Sequence, residues 1–403
     1  MKVALIHPLK HHAYHSLNGI KKYNENAVGL FGYFIKGDII DKILSLTSKN
    51  KLLKGYYSEE VKENIVCNKF IKILFLLYKF KPRYFEKIYF NSFEKWAIKY
   101  IRKNKIECIH VLQDYCNRVI EYAKKNNIKI VYEQITVFVE KRVEILNNES
   151  KKSYYSNIID KYEEDKEKIE KERENLKNAD IVICASNMTK ESLLKFNLNK
   201  LFVIPYGCYK NKKNNNWNGG RLNILYVGAM SLRKGVHYII EVAKILKDYD
   251  IHFNFVGKAK DLIGTKEIEE IYNLKNCTYI GSVPNSKIHE IYKENNIFIF
   301  QTLSEGFGMV TLEAMSFGLP CITSIPGIGV IKNEYSGLVN EECNVKQIKD
   351  NILRLYNNKD LLNRMAENAY KEANYFSWER FENEISKIYT NYLIGRNCNE
   401  TKD

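Results

Sequence analysis

Proline is scarce, with six in 403 residues, which argues against long disordered linkers. Cysteine occurs nine times, an odd number, and no two residues form a C-x-x-C pair. Two of them, Cys184 and Cys321, lie inside apolar, strand-like runs. A reduced, cytoplasmic protein therefore fits better than a disulfide framework or a zinc module. The chain opens directly on the strand-like MKVALIHP, with no basic stretch and apolar core before it, so no secretory signal is expected. The longest apolar run, residues 71–78 (IKILFLLY), is broken by lysine and too short to span a bilayer. No repeat of solenoid period is visible. No Asp-x-Asp box sits at a strand end, so chemistry without a metal or other cofactor is expected.

What is present is an ordinary globular composition, 45% hydrophobic and 28% charged, long enough for two domains. Tyrosine is abundant at 29, and the wealth of Asn, Lys and Ile matches AT-rich coding. The formal net charge of +15 leaves two readings open. One is an anionic partner: nucleic acid, an acidic membrane surface or phosphorylated substrates. The other is a basic proteome with solvated surface lysines.

Strand and helix patterns alternate along the chain, which predicts α/β architecture with parallel sheets. In the first half, strands are expected at residues 3–6, 108–112, 128–132, 180–185 and 201–205, with a helix at 118–126 and a long charged helix from about 157 to 176. Residues 211–220 (NKKNNNWNGG) are the clearest break in composition and read as a linker. The alternation then restarts, with strands at 222–227, 251–256, 277–280, 297–301 and 321–324. Two Rossmann-like domains follow, 1–210 and 221–377, facing each other across a cleft. An amphipathic helix at 378–393 is expected to return to the first domain, followed by a frayed tail. Ligands in such sheets bind at the carboxyl ends of the strands.

The chemistry concentrates in residues 301–324, QTLSEGFGMVTLEAMSFGLPCITS. A buried strand ends in a loop holding Gly306 and Gly308, and a helix begins near Met309. Glycines at such a turn let the backbone approach a ligand, and a helix start offers free N–H groups to an anion. Glu305 stands at the mouth and Glu313 one turn inside, where carboxylates can accept hydrogen bonds from sugar and ribose hydroxyls. Two isolated glutamates at this spacing also suit a capped helix with solvated side chains.

The company they keep favours the first reading. The run S-E-G-F-G-M-V-T-L-E-A-M-S-F-G-L-P resembles the signature of the GT4 family of retaining glycosyltransferases, which have the GT-B fold. Residues 225–235 (LYVGAMSLRKG) are similar to that family's phosphate-binding strand and turn, which places Gly228 at the donor. Lys234 then corresponds to the lysine that contacts the donor diphosphate, with Arg233 beside it. Ala229 departs from the pattern, since many members carry arginine after the glycine. Residues 281–284 (GSVP) resemble the base-side loop, with Val283 near the nucleobase. The resemblance implies Glu305, Lys234 and Arg233 as catalytic groups, and Gly306, Phe307, Gly308, Met309 and Glu313 as donor-binding ones. It also puts Gly19 at the donor phosphate, and Gln134 where the family has a sugar-contacting histidine. The implied reaction moves a hexosyl-type unit from a nucleotide-sugar to a hydroxyl acceptor, a glycan or a lipid-linked one. Alternatives of the same fold are an epimerase or a phosphorylase; one of a different class is a basic binding protein with a degenerate cleft.

His11, His12 and His15 cluster near the start. An acceptor contact (His11, His15) and plain exposure suit them better than a metal site, which would need a helix and a third ligand. His110 in CIHVL reads as a core histidine. Residues 68–105 mix Lys and Arg with Phe, Tyr and Trp, which suits helix packing or a basic amphipathic face on the anionic inner surface of the cell membrane. No nucleic-acid-binding motif accompanies them.

Overall fold

The computed structural model describes residues 1–9, 12–35, 58–152, 166–214, 216–260, 262–325, 329–341 and 343–393. Two parallel sheets organise them. The first joins β1 (Val3–His7), β2 (Val28–Phe31), β3 (Ile65–Val66), β4 (Cys108–Leu112), β5 (Lys129–Gln134), β6 (Ile181–Cys184) and β7 (Leu201–Val203) in the order β3-β2-β1-β4-β5-β6-β7. The second joins β8 (Leu222–Val227), β9 (Ile251–Val256), β10 (Cys277–Gly281), β11 (Ile297–Phe300), β12 (Cys321–Ser324) and β13 (Gly337–Asn340) in the order β10-β9-β8-β11-β12-β13. In a parallel sheet with helices on both faces, strands are apolar throughout instead of alternating. The strands VALIH, IVIC and IFIF are buried at every position for that reason. The expected pair of Rossmann-like domains is therefore what the chain forms.

In each sheet the first strand sits inside, with later strands added on either side of it. Order reverses between β1 and β4, and again between β8 and β11. Crossover loops leave in opposite directions at such a point and open a crevice at the carboxyl ends.

The helices that matter for the site are α1 (Ala13–Tyr23), α2 (Lys69–Phe80), α3 (Pro82–Asn104), α4 (Val139–Lys152), α5 (Lys166–Asn178), α6 (Val236–Ile245), α7 (Met309–Ser316) and α8 (Trp378–Ile388). Asn68 caps α2 by accepting from the N–H groups of Phe70 and Ile71, and Pro82 starts α3 at a position where its missing N–H costs nothing. Of the expected helix at 157–176, the part before Lys166 lies outside the described residues, as does the tail. Helix α4 has no counterpart among the expectations. Val139, Val143 and Leu146 form its buried stripe, but Asn147 and Asn148 weaken its local helix preference.

Helix α8 packs against α1. Gly19 makes this approach: a Cβ there would lie 2.6 Å from the Glu382 carbonyl oxygen and 2.8 Å from Ile385 Cβ. Gly19 thus sits inside a helix pair and not at a donor phosphate, because the helix already begins at Ala13. His15 belongs to the same seam, stacked 3.9 Å from Trp378 with Nδ1 2.9 Å from Glu382. Its ring is held by neighbours on α8 and does not reach a ligand cavity. His110 is fully buried, between the Tyr389 hydroxyl at 2.9 Å and Glu133 at 3.0 Å. Replacing Gly19 by leucine is expected to force α8 off α1 and cost about 1–3 kcal/mol through overpacking. A urea midpoint equal to that of the unsubstituted protein would contradict this packing.

Candidate active site

The site lies at the crevice of the second sheet. After β8 the chain runs through Gly228 and Ala229 to a single 3-10 turn, Leu232–Lys234, before α6. After β11, the adjacent strand, residues 301–308 lead into α7. Backbone bonds tie the two turns together. The Leu303 N–H donates to the Arg233 carbonyl at 2.8 Å, and the Thr302 hydroxyl donates to the same oxygen at 3.1 Å. Arg233 and Lys234 are thereby fixed beside Glu305.

These three side chains form one charged cluster. Lys234 Nζ is in direct contact with the Glu305 carboxylate and sits 4.7 Å from the centre of the Phe300 ring. Arg233 donates to the Ser304 carbonyl at 2.6 Å and lies 3.4 Å from Glu305. Burial works to raise the Glu305 carboxyl, but the charges of Lys234 and Arg233 outweigh it and hold the group below its usual value. Glu305 is therefore a carboxylate at neutral pH.

Two cavities meet here. One, of about 540 Å³, is lined by Arg233, Ser304, Glu305 and Gly306 from the second domain, together with Arg142 of α4 and Lys168 of α5 from the first. The other, of about 430 Å³, is lined by Gly228, Val283, Ile288, His289, Val310 and Glu313. Ala229 and Lys260 line both and so join them. The larger cavity carries four cations, Arg142, Lys168, Arg233 and Lys260, against the single carboxylate Glu305; Lys168 also pairs with Asp114 at 3.3 Å. A dianion entering it gains from each of them.

Helix α7 brings Glu313 to the smaller cavity, one turn in from its cap at Gly308, which adopts φ +79°. The Tyr292 hydroxyl donates to Glu313 at 3.3 Å, yet burial dominates and raises this carboxyl above its usual value.

The structure thus brings Arg233, Glu305 and Gly306 to one cavity and Gly228, Val283 and Glu313 to the other. Lys234 is not among the lining residues and stands behind Glu305. Gly306 answers to a neighbour as well as to a ligand. A Cβ there would lie 1.9 Å from the Ile135 carbonyl oxygen, in the first domain. The Gly306 carbonyl accepts from the hydroxyls of Ser186 and of Thr189, the latter at 3.1 Å. Phe307 turns away from the cavities and packs edge-on against Tyr206 at 5.3 Å. Met309 is half-buried at the start of α7, and it and Gly308 line neither cavity.

Gln134 departs most from expectation. It is fully buried, and its amide donates to Glu172 at 2.6 Å and to the Thr136 carbonyl at 2.9 Å, facing α5 and not the cleft. His11 lies outside the described residues. His12 contacts the buried carboxylate of Glu133.

Sequence reasoning missed Lys260, Arg142 and Lys168. For Lys260 a signal existed: Gly257-Lys258-Ala259-Lys260 follows directly on the buried strand β9. The Lys260 N–H donates to the Met230 carbonyl at 3.1 Å, which holds that lysine beside Ala229. A positive charge thus stands beside Ala229, supplied from this neighbouring loop.

The fold is of the GT-B class, two Rossmann-like domains with the larger cavity between them. Among solved structures, the sucrose-phosphate synthase of Thermosynechococcus elongatus has the same fold, with a TM-score of 0.69 at 16% identity over 98% of this chain and 99% of that one. The family model described as glycosyl transferases group 1 matches residues 209–372, the part that carries the loops after β8 and β11. An uncharacterized glycosyltransferase of Methanocaldococcus jannaschii is 32% identical over 218 residues, 53% of this chain and 60% of its own length. A UDP-Gal:alpha-D-GlcNAc-diphosphoundecaprenol alpha-1,3-galactosyltransferase of Escherichia coli is 24% identical over 368 residues, 85% of each chain.

The raised Glu313 carboxyl has a consequence for stability. A group whose folded value lies above its unfolded one stabilises the fold at low pH, and that contribution is lost as pH rises through the folded value. Glu313→Gln removes the ionisation, so its melting temperature at pH 7 is expected to exceed that of the unsubstituted protein, with the difference vanishing in acid. Thermal melts across pH 4–8, the range about the usual carboxyl value, check this.

Proposed function

We propose that the protein transfers a hexosyl-type sugar from a nucleoside-diphosphate sugar to a hydroxyl acceptor, in cell-surface polysaccharide or glycolipid synthesis. What supports this reading above all is the joined pair of cavities, one cationic and one holding a carboxylate beside an apolar patch. A nucleoside diphosphate has that division: an anionic diphosphate, a ribose with two hydroxyls, and a flat base.

In this reading Glu313 accepts hydrogen bonds from the ribose hydroxyls, and the base lies toward Val283 and Ile288. Arg233 and Lys260 neutralise the diphosphate, with Lys234 reinforcing them through the shared carboxylate. Their stabilisation grows as the sugar–phosphate bond breaks and negative charge collects on the leaving oxygen, which is the condition for lowering a barrier. Glu305, which lines the larger cavity, orients the sugar hydroxyls. The resemblance to the GT4 family extends this to retention of anomeric configuration, with the acceptor attacking on the face from which the diphosphate departs. The acceptor proton then passes to the departing phosphate oxygen. No metal is assigned a part, because cationic side chains meet the charge of the leaving group. The name of the Escherichia coli relative specifies a diphosphoundecaprenol-linked acceptor, and we take a lipid-linked or glycan acceptor at the inner membrane face as the class for this chain.

A thermal-shift screen of UDP-, GDP- and ADP-sugars is expected to show selective stabilisation by one donor. With that donor, Lys234→Ala and Glu313→Ala are each expected to lower turnover by about 100-fold or more, the scale for losing one charge-stabilising group. Incubation with donor alone is expected to leave the sugar unepimerised, and transfer is expected to need no inorganic phosphate. Full activity in both variants would sink the assignment.

A further inference from the structure

Helices α2 and α3 form a hairpin on the first domain whose inner side is well explained. Ile71, Leu74 and Phe75 of α2, and Tyr89, Phe93, Ala97 and Ile101 of α3, are buried against the sheet and one another. The outer side is also apolar. Phe70, Ile73, Leu77 and Phe80 recur at helical spacing along α2 and are 62%, 46%, 37% and 44% exposed; Tyr84 and Ile88, one turn apart on α3, are 72% and 50% exposed. A helix on a domain surface needs one apolar face for its core. This hairpin has a second, contiguous one, and faces of that kind mark interaction sites.

The charges around it are one-sided. Lys69, Lys79, Lys81, Arg83 and Lys87 are exposed, and Glu86 is the only acid between residues 69 and 88. Four of the five cations cluster about the turn between the helices, next to Phe80 and Tyr84. Long cationic side chains keep their heads in a polar layer while their stems run along apolar surface.

We propose that this face docks on a bilayer rich in anionic phospholipid, with the apolar stripe in the headgroup and upper acyl region and the cations on lipid phosphates. Complementarity selects this occupant. A second copy meeting the same face about a two-fold axis would set five cations against five. A nucleic acid could use the cations and the rings of Phe70 and Tyr84, but it offers nothing to Ile73, Leu77 and Ile88. An anionic bilayer satisfies both sets at once.

The hairpin also has a fixed relation to the cleft. The Tyr89 hydroxyl, on its inner side, donates to the Pro8 carbonyl and lies against Gly32. Pro8 and Gly32 directly follow β1 and β2, so the hairpin is rooted at the carboxyl edge of the first sheet. The Ile135 and Ser186 groups that meet Gly306 leave β5 and β6 at that same edge. Docking is inferred from this face alone; combined with the sugar-transfer reading, it brings a lipid-linked hydroxyl to the cleft at the membrane surface.

The test is co-sedimentation of the full chain with vesicles, run without donor or acceptor so that it is independent of the transfer assay. One set is phosphatidylglycerol mixed with phosphatidylcholine, the other phosphatidylcholine alone. The unsubstituted protein is expected to bind the mixed vesicles and not the neutral ones, and binding is expected to weaken with added salt. The variants Phe70→Ser/Ile73→Ser/Leu77→Ser and Lys81→Glu/Arg83→Glu/Lys87→Glu are each expected to weaken it by about tenfold or more, while keeping the normal melting temperature and donor-induced shift. Three outcomes overturn the proposal: no binding to mixed vesicles, equal binding to neutral ones, or binding untouched by both folded variants. Self-association or RNA binding abolished by the serine variant, with no vesicle binding, overturns it in favour of that other partner.

Discussion

The contact between the Glu305 carboxylate and the cations Arg233 and Lys234 is the interaction around which the rest of the molecule is arranged. Lys234 and Glu305 are largely shielded from water, and separating such a pair strands a charge, so their geometry must be maintained. The geometry comes from the sheet. β8 and β11 are neighbours at the point where strand order reverses, so their loops rise side by side, and bonds from the Thr302 hydroxyl and the Leu303 N–H to the Arg233 carbonyl lock one to the other. The parallel topology is thus what delivers two cations from one turn to a carboxylate on another. The same reversal opens the crevice in which the larger cavity lies.

The two carboxylates of the site are set in opposite senses by their surroundings. Glu305 shares its space with cations and is held as a strong acceptor, whereas Glu313 has only the Tyr292 hydroxyl against the cost of burial. A ligand that donates hydrogen bonds to Glu313 removes part of that cost. On the proposed function, binding energy is therefore available at the nucleoside end, remote from the reacting bond, where it can be used to position the sugar. This division follows from spacing along one segment: Glu305 stands in the loop before α7, and Glu313, eight positions on, lies one turn inside the helix and lines the smaller cavity.

The strands and the glycine loop before α7 were legible in the sequence because their signals are local. Buried parallel strands read as unbroken apolar runs, and a glycine turn leading into a helix is contained within a dozen residues. What escaped was assembled across long distances. The resemblance put Gly19 at the donor phosphate, but its neighbour is α8, more than three hundred and fifty residues later in the chain. Gln134 follows a strand toward the cleft, yet its amide is satisfied by Glu172 on α5. Lys260, Arg142 and Lys168 look like any solvated lysine or arginine in a chain of formal charge +15, and only the fold converges them on one cavity. Val139, Val143 and Leu146 were readable as a helical stripe, and that stripe would have placed Arg142 beside them.

That convergence explains why the site needs both domains. With Arg233 and Lys260 alone the larger cavity would be half a cationic shell, open on the side of the first domain. Arg142 and Lys168 supply the other half only because α4 and α5 approach the donor loop closely. Gly306 governs how close that approach can be, since any side chain there would meet the Ile135 carbonyl, and the Ser186 and Thr189 hydroxyls bind its oxygen in return. Glu149 at the far end of α4 meets His237 at 3.2 Å, securing the same helix to α6. The glycine that stands out in the loop before α7 is therefore the position at which one domain is fitted to the other. A substitution there would meet the Ile135 carbonyl and push the two domains apart.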